Sequence, residues 1–361
     1  MGIERELKKG GIKVVEQLDS SSVFSIAKNV SKQIYRTYPN YEFSYEDLLN
    51  NLSNVSLYMA DIPEGLSEAS YYYKNTSIYF RNGMSIKDIE KYSVHEYIHH
   101  LQERKSNRGS LIRMGLCEFS GSKIIGMALN EAAVQIITSN IQDSLFDTVE
   151  YYGINFSTNS HTLYPVICNL VSQMAYITRE DVLYESTLDA NDHFKNKFIA
   201  MCNKKAYYKI LENLDKILKH EEKTIVLSNI LQNNDLKDKK REKIINKINI
   251  QKSQIRTLYF ETQSLILTSY CDTMYKHLIS IEDIDDFRKH LYNYQDLIGT
   301  SEENKSFNDF YINMMEKLDK RAEELTGNTY LVPRKESSFS RLINYIKALI
   351  EASKLDSDKE E

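Results

Sequence analysis

The sequence predicts an α+β fold in which helices predominate. Only 4 prolines and 12 glycines occur among its 361 residues, which favours long uninterrupted helices over an architecture with many turns. Short aromatic and β-branched runs that are typical of strands lie before residue 81, whereas nearly every segment after Pro165 has helical spacing. We therefore expect a small mixed sheet in the first part of the chain and a mainly helical C-terminal region with a frayed tail.

Composition and charge narrow the range of functions. Apolar residues make up 42% of the chain and charged residues 27%, as in an ordinary soluble globular protein. The formal net charge of −5 is mild, so neither nucleic acid nor a membrane surface is expected as a partner. No segment is apolar enough for a signal peptide or a membrane span, and the four cysteines are scattered without a C-x-x-C pair. These features predict a cytoplasmic protein, with export without a leader as the alternative.

The first elements are predicted from their spacing. An amphipathic helix is expected over 23–38. Alternation predicts a strand over 54–62, and "ASYYYKNTSIYF" at 69–80 predicts two strands joined by a turn around Lys74 and Asn75. These strands would form the small sheet.

Two later helices carry the candidate chemistry. The first begins at a capping-box-like pair, Ser85 and Asp88, and is predicted to run from 86 to about 105. It contains "SVHEYIHHLQE" (93–103), which holds three of the eight histidines in the chain. The second, "MALNEAAVQIITSNI", is predicted over 127–141.

The first of these helices offers two metal ligands and a base. His95 and His99 lie four residues apart, so one helix face can direct both imidazoles at one metal ion. Glu96 is rotated by about a hundred degrees from His95 and would lie beside the ion. There it can act as general base, taking a proton from a zinc-activated water and delivering it to the leaving amine. The bare pattern arises by chance in roughly one such chain in a hundred, so a solvated polar helix stays open as an alternative.

Neighbouring segments offer the remaining parts of a catalytic site. A metallopeptidase keeps an edge strand that hydrogen-bonds an extended substrate backbone, and Ser77 to Phe80 are predicted to form that strand. A catalytic zinc has three protein ligands and one open position. Glu131 follows His99 by thirty-two residues, after a glycine-containing segment long enough to turn the chain back. We therefore predict Glu131 as the third ligand.

The segments "HEYIH" and "NEAAVQ" together resemble the gluzincin metallopeptidases, the group that includes thermolysin. Those enzymes combine H-E-x-x-H with a downstream glutamate ligand, often within an N-E-A motif that opens a helix. The resemblance covers about 70 residues and places four of them on motif positions: His95, Glu96, His99 and Glu131. It implies a zincin-like catalytic domain over 1–195, a Zn²⁺ cofactor and a peptide or protein substrate. The helical region over 196–361 would form the other wall of the cleft.

The chain departs from the thermolysin pattern at Gln135, four residues after the predicted glutamate ligand. Thermolysin-like enzymes have an aspartate there, which orients the first histidine. The amide oxygen of Gln135 can still accept a hydrogen bond from an imidazole, but it leaves that ligand less basic than a carboxylate would. The spacing between His99 and Glu131 is also longer than in thermolysin, so the resemblance is to a divergent or separate gluzincin family. Asn130 is a further candidate for supporting the site.

Gluzincins also have a tyrosine or histidine that donates a hydrogen bond to the oxyanion of the tetrahedral intermediate. The segment "NSHTLYPVICNL" offers His161 and Tyr164 for this role. Tyr164 is preferred because Pro165 fixes the backbone beside it at a helix entrance, while a buried core tyrosine is the alternative. His100 points to a different helix face from its neighbour, which predicts no role as a ligand.

The leading hypothesis is a cytoplasmic zinc metallopeptidase. One alternative is a regulatory peptidase dedicated to a single protein partner. A second is a degenerate zincin that keeps the fold as a protein-binding module, and a third is a helical scaffold in which the motif is coincidental. Glu96 favours an enzyme, because a purely structural metal site needs no general base. The sequence predicts neither the cleavage preference nor the oligomeric state.

Overall fold

Short strands are concentrated in the first 160 residues, and helices make up most of the rest of the chain. A computed structural model describes residues 11–39, 43–63, 67–120, 123–232, 236–298 and 305–327. The predicted α+β class with predominant helix is confirmed. The part of the predicted helical region after residue 327, including the predicted frayed tail, lies outside the described residues.

The first sheet has four strands in the order β1-β2-β4-β3, of which β2 and β4 are parallel and the other pairs antiparallel. The strands are β1 (Lys13–Gln17), β2 (Ser56–Asp61), β3 (Ala69–Tyr72) and β4 (Ser77–Arg81). The prediction that Ser77 to Phe80 form the edge strand is wrong, because β4 lies inside the sheet and β3 forms its edge. The four residues from Ser77 to Phe80 are all buried, as a strand covered on both faces requires.

Two helices before the metal motif complete the first apolar core. Helix α1 (Ser20–Thr37) begins where the Asp19 side chain accepts hydrogen bonds from two backbone N–H groups, and helix α2 is Tyr45–Ser53. The helix predicted over 23–38 is thereby confirmed. Its apolar stripe packs with the first sheet and with the next helix: Val23, Ile26, Val30 and Ile34.

Helix α3 (Ile86–Leu101) carries the histidine motif. The Ser85 side chain accepts from the Asp88 backbone N–H at 3.2 Å and donates to its carboxylate at 2.6 Å, so the predicted start is confirmed. The predicted end near residue 105 is wrong, because the helix ends at Leu101 and Gln102 caps it. The chain then enters a second sheet instead of continuing the helix.

The second sheet is an antiparallel meander that was not predicted. Its strands are β5 (Glu103–Lys105), β6 (Leu111–Met114), β7 (Cys117–Ser120) and β8 (Lys123–Ile125). Gly115 makes the turn between β6 and β7 with a φ of +53°, a conformation that favours glycine. Its backbone N–H donates to the Gln102 carbonyl at 3.1 Å, which ties the meander to the end of α3.

Helices follow this meander, interrupted by one hairpin. Helix α4 (Met127–Ile141) has the bounds predicted for the glutamate helix. The hairpin of β9 (Asp147–Tyr151) and β10 (Ile154–Thr158) was not predicted. The remaining helices are α5 (Pro165–Thr178), α6 (Glu180–Leu188), α7 (His193–Met201), α8 (Lys204–Leu231), α9 (Asp238–Met274), α10 (Ile281–Ile298) and α11 (Lys305–Thr326), with a short 3₁₀ helix at Tyr275–His277.

The chain forms two compact units. The first comprises Met1–Thr273 with Asp296–Gly299, and the second comprises Met274–Gln295 with Thr300–Glu361. All the predicted site residues belong to the first unit. The domain boundary predicted after residue 195 stays a prediction. Among the described residues, none of the helices combines the length and the apolar character that crossing a lipid bilayer requires.

Candidate metal centre

Helix α3 presents its three motif residues on a buried face. His95 and His99 are each 6% exposed and Glu96 is 8% exposed. One helical turn separates the two histidines, and their Nε2 atoms lie 3.1 Å apart. Two imidazole nitrogens at this distance either share a proton or direct their lone pairs at one cation.

Glu131 on α4 completes a group of three possible ligands. Helices α3 and α4 pack against each other, and this brings the carboxylate to the pair of imidazoles. Its Oε2 lies 3.6 Å from His95 Nε2, and its Oε1 lies 3.5 Å from His99 Nε2. One ligand atom from each residue lies within 4.8 Å of the others. The structure therefore brings the three predicted ligands together.

The donor set and its spacing fit a metal ion. Ligands held about 2.0–2.1 Å from a tetrahedral zinc ion lie about 3.3 Å from one another. The two Nε2 atoms lie 3.1 Å apart, and each lies 3.5 or 3.6 Å from a different oxygen of the Glu131 carboxylate, which is close to that value. Two imidazoles and a carboxylate suit zinc and other first-row divalent cations. His95, His99 and Glu131 could thus hold a metal ion, whose identity their geometry does not specify.

The electrostatics of the group favour a bound cation. Burial acts to lower the pKa of His99, but Glu131, together with Glu96 and Gln102, outweighs it and raises that pKa to about 9. Burial likewise acts to raise the pKa of Glu131, yet the imidazoles of His99 and His95 hold it well below its ordinary value. A proton on His99 thus takes the place of a cation beside Glu131, and a metal ion would compete with that proton.

Gln135 supports His95 as predicted from its position in the sequence. Its Oε1 lies 3.2 Å from His95 Nδ1, and its Nε2 donates to Ser139 Oγ at 3.2 Å. The Ser139 hydroxyl is in turn 3.1 Å from that of Ser160. Because the amide oxygen faces the imidazole, His95 Nδ1 carries the proton and Nε2 presents its lone pair to the ligand group.

Asn130 supports the packing of the helices rather than the ligands. Its Oδ1 accepts from the Leu116 backbone N–H at 2.9 Å, and its Nδ2 donates to Gln102 Oε1 at 2.7 Å. A Cβ on Gly115 would lie 2.3 Å from Asn130 Oδ1 and 2.8 Å from the Gln102 amide, so only glycine fits there. These contacts join the start of α4 to the end of α3. Because Glu131 follows Asn130 directly, they also hold the Glu131 backbone against the helix that carries the two histidines.

The two histidines differ in their support. His99 Nδ1 and Gln102 Nε2 are both buried and have no hydrogen-bond partner among the described residues. The Gln102 side chain contributes to the raised pKa of His99, so it lies close to that ring. Sequence reasoning did not select Gln102, because one glutamine beyond a helix end carries no distinctive signal.

Glu96 faces the edge strand of the first sheet. Its Oε2 accepts a hydrogen bond of 2.6 Å from the backbone N–H of Tyr71 on β3. The Tyr71 hydroxyl lies 2.9 Å from His100 Nδ1, and His100 Nε2 lies 2.8 Å from Asn51 Oδ1. Because Asn51 offers an acceptor, His100 carries its proton on Nε2 and accepts from Tyr71. His100 thus holds the edge strand and makes no contact with the ligand group.

Tyr164 lies near the ligand group, and His161 is held elsewhere. Tyr164 has a φ of 51° and a ψ of 43° directly before α5, with Pro165 as the first helical residue. Burial raises the pKa of Tyr164 well above its ordinary value, and the charges of Glu131 and Glu96 act in the same direction. His161 Nε2 lies 3.1 Å from the Leu145 carbonyl, and no contact among the described residues joins it to the three possible ligands.

No protein-family model, curated protein or solved structure matches this chain. What the protein does must therefore be inferred from its own side chains. Those side chains place a possible metal group, a neighbouring carboxylate and a phenol in one region of the first unit. The pKa values of His99, Glu131 and Tyr164 are shifted from their ordinary values, and such a cluster of perturbed groups is typical of functional sites.

Proposed function

We propose that the protein is a zinc-dependent metallopeptidase of gluzincin type, with a zincin-like fold around the site. His95, His99 and Glu131 hold zinc, Glu96 is the general base, and Tyr164 donates to the oxyanion. The observation that carries this proposal is that two imidazole nitrogens and the Glu131 carboxylate converge beside a second carboxylate, that of Glu96. Glu96 is hydrogen-bonded to the edge strand and is not one of the three possible ligands. A structural metal site would have no use for that second carboxylate.

Each residue has a defined task in hydrolysis. Zinc supplies Lewis-acid chemistry, which activates water near neutral pH and polarises the scissile carbonyl. Glu96 takes a proton from the attacking water and returns it to the leaving amine, while the Tyr71 N–H keeps its carboxylate oriented. The Tyr164 phenol stays protonated because its pKa is raised, so it can donate a hydrogen bond to the oxygen that gains charge.

The edge of the first sheet offers a place for the substrate backbone. Among the described residues strand β3 pairs only with β4, so an extended peptide can add as a further strand on the other side of β3. The Glu96 carboxylate meets β3 on that other side, at the Tyr71 N–H. A peptide that pairs with β3 would therefore pass directly beside the general base.

A cytoplasmic location is part of the proposal. All four cysteines are buried and none of them forms a disulfide, which suits a reducing compartment: Cys117, Cys168, Cys202 and Cys271. Burial raises the pKa of the Cys117 thiol to about 12, so this thiol has little thiolate character and low reactivity. The proposed partners are a peptide or protein substrate, without nucleic acid or membrane.

Metal analysis of protein purified without a tag tests the ligand assignment. We expect about one zinc per chain by plasma mass spectrometry, the stoichiometry of a single catalytic site. His99→Ala and Glu131→Ala should lose it, whereas His193→Ala, which changes an exposed histidine, should keep it. Circular dichroism checks that each variant is folded. Metal-free wild-type protein would contradict the proposal.

Cleavage of a mixed peptide library tests the reaction. Zinc-loaded wild-type protein should cleave it, and Glu96→Gln should bind zinc normally but lose cleavage by at least about a hundredfold. Cleavage that persists in Glu96→Gln would contradict the assigned base. Zinc binding without Glu96-dependent cleavage would instead favour a protein-binding module, or a peptidase with one dedicated protein partner.

A further inference from the structure

Helix α8 contains a buried carboxyl group that the proposed reaction does not use. Glu221 is 3% exposed, and its Oε2 has no hydrogen-bond partner among the described residues. A carboxyl group buried in this way is unfavourable unless something binds it. Burial raises the pKa of Glu221 to about 8, so the empty group is largely neutral at pH 7.

The position of α8 brings this carboxyl to the region of the metal group. Helix α8 packs against α4, and Asp215 on α8 accepts a hydrogen bond of 3.1 Å from the Ala128 N–H at the start of α4. Glu221 lies nearly two helical turns further along α8. A charge on Glu221, like the charge on Glu131, would raise the pKa values of Tyr164 and Cys168 at the start of α5, so both carboxyl groups lie in the region of these two side chains.

The surroundings of Tyr164 are strongly acidic. Four carboxyl groups contribute, when charged, to the raised pKa of its phenol: Glu131, Glu222, Glu221 and Glu96. A zinc ion would offset the charges of Glu131 and Glu96, but Glu222 and Glu221 lie outside the ligand group, and Glu221 becomes charged only when it loses its proton. Within the described part of the chain, neither Glu221 nor its exposed neighbour Glu222 forms an ion pair.

We propose that Glu221, assisted by Glu222, binds a cationic group of the peptide substrate close to the scissile bond. This inference rests on the proposed peptidase function. The cation is an ammonium or guanidinium group, from a lysine or arginine side chain or from a free amino terminus. Binding of such a group would release the proton of Glu221 to solvent, and the cation would then donate charge-assisted hydrogen bonds to the carboxylate, including its unpartnered oxygen.

Peptide binding without turnover tests this assignment. The protein is the full chain with Glu96→Gln, loaded with zinc, and the readout is fluorescence anisotropy. The probes are two fluorescein-labelled, N-acetylated peptide pools of equal length, one with fixed lysines and the other with norleucine at the same positions. A third pool has the norleucine sequence with a free amino terminus. We expect at least one cationic pool to bind roughly tenfold more tightly than the acetylated norleucine pool.

Three further variants in the same background show whether the preference comes from α8. Glu221→Gln should abolish the preference, and Glu222→Gln should reduce it. Glu212→Gln is the control, because Glu212 is exposed on the same helix and pairs with Lys216. A preference for the lysine pool identifies a side-chain cation, and a preference for the free terminus identifies the α-amino group.

Other outcomes overturn the inference. Equal binding of all pools, no peptide binding, or a preference that survives in Glu221→Gln would show that Glu221 is only a packed neutral side chain. Because these measurements need no catalysis, they are independent of the library cleavage by wild-type protein. Zinc-dependent cleavage without any cation preference would refute this inference alone, and absence of zinc would refute the proposed function.

Discussion

The backbone N–H of Tyr71 donates a hydrogen bond of 2.6 Å to the carboxylate of Glu96. The donor belongs to the edge strand of the first sheet and the acceptor to the helix that carries both histidines. The Tyr71 side chain is held in turn by His100, on the same helix as Glu96. The proposed base and the proposed substrate-binding edge are therefore fixed to each other by two contacts.

Removal of the Tyr71 hydroxyl should affect catalysis more than stability. Tyr71→Phe loses the hydrogen bond to His100 Nδ1, at a cost of about 1 kcal/mol in the free energy of unfolding. We expect zinc content to be unchanged and kcat to fall by roughly tenfold, with a smaller change in KM, because the strand no longer holds Glu96 as firmly. Steady-state kinetics with a library-derived peptide measure this split. Tyr73→Phe, a tyrosine that follows β3, is the control, and equal effects of the two changes would argue against a positioning role.

Replacement of Gln135 should weaken the metal site without unfolding the protein. Gln135→Leu keeps the volume but removes the acceptor for His95 Nδ1, so the imidazole loses its fixed orientation. We expect zinc affinity to fall by about 10- to 100-fold, measured by competition with a chromophoric chelator. Gln135→Glu should keep an affinity close to that of wild type, since a carboxylate accepts the same hydrogen bond while its extra buried charge offsets the gain in imidazole basicity. Unchanged affinity in the leucine variant would show that Gln135 does not support the ligand.

Gly115 should tolerate substitution much less well than Gly109. Both glycines have positive φ, +53° and +76°, so alanine at either position costs about 1–2 kcal/mol from backbone conformation alone. Only at Gly115 would the new Cβ clash with Asn130 and Gln102, whereas nothing lies within 4 Å at Gly109. We expect urea unfolding to show an additional loss of about 1–3 kcal/mol for Gly115→Ala, with weaker zinc binding. Similar losses in both variants would mean that the amide contacts adjust without cost.

Glu221 should make the protein less stable as pH rises. Its pKa is raised from 4.5 to about 8, so the folded state holds a proton that the unfolded state releases first. Stability from this group is complete below pH 4.5 and is lost as pH rises towards 8, at up to about 1.4 kcal/mol per pH unit. Urea unfolding between pH 5 and 8 should show a flatter dependence for Glu221→Gln than for wild type or Glu212→Gln. Parallel curves for all three proteins would show that Glu221 does not titrate in this range.

The elements that sequence predicts best are those defined by one local pattern. The bounds of α4 and the start of α3 follow from helical spacing and from the Ser85 cap, which depend only on neighbouring residues. The ligand group follows as well, because helix geometry fixes where His95 and His99 point and the N-E-A motif marks Glu131. These features need no knowledge of distant contacts.

The features that sequence missed depend on contacts between distant segments. The meander from β5 to β8 has strands of only three or four residues without clear alternation, and Gln102 ends α3 where the helical pattern gives no stop signal. Whether β3 or β4 forms the edge is decided by pairing with β2, which local sequence does not encode. Tyr71 was not selected for the same reason, since it is one of three consecutive tyrosines and its role arises from a backbone N–H.

The amide at Gln135 has a consequence for electroneutrality. Metal binding requires neutral imidazoles, so the three ligands and Glu96 together contribute two negative charges, one each from Glu96 and Glu131. A divalent cation cancels these two negative charges completely, whereas an aspartate in place of Gln135 would add a third negative charge that the cation does not cancel. Buried surroundings penalise uncompensated charge. The proposed zinc ion, with a charge of +2, would therefore leave the site electrically balanced, and a monovalent or trivalent ion would not.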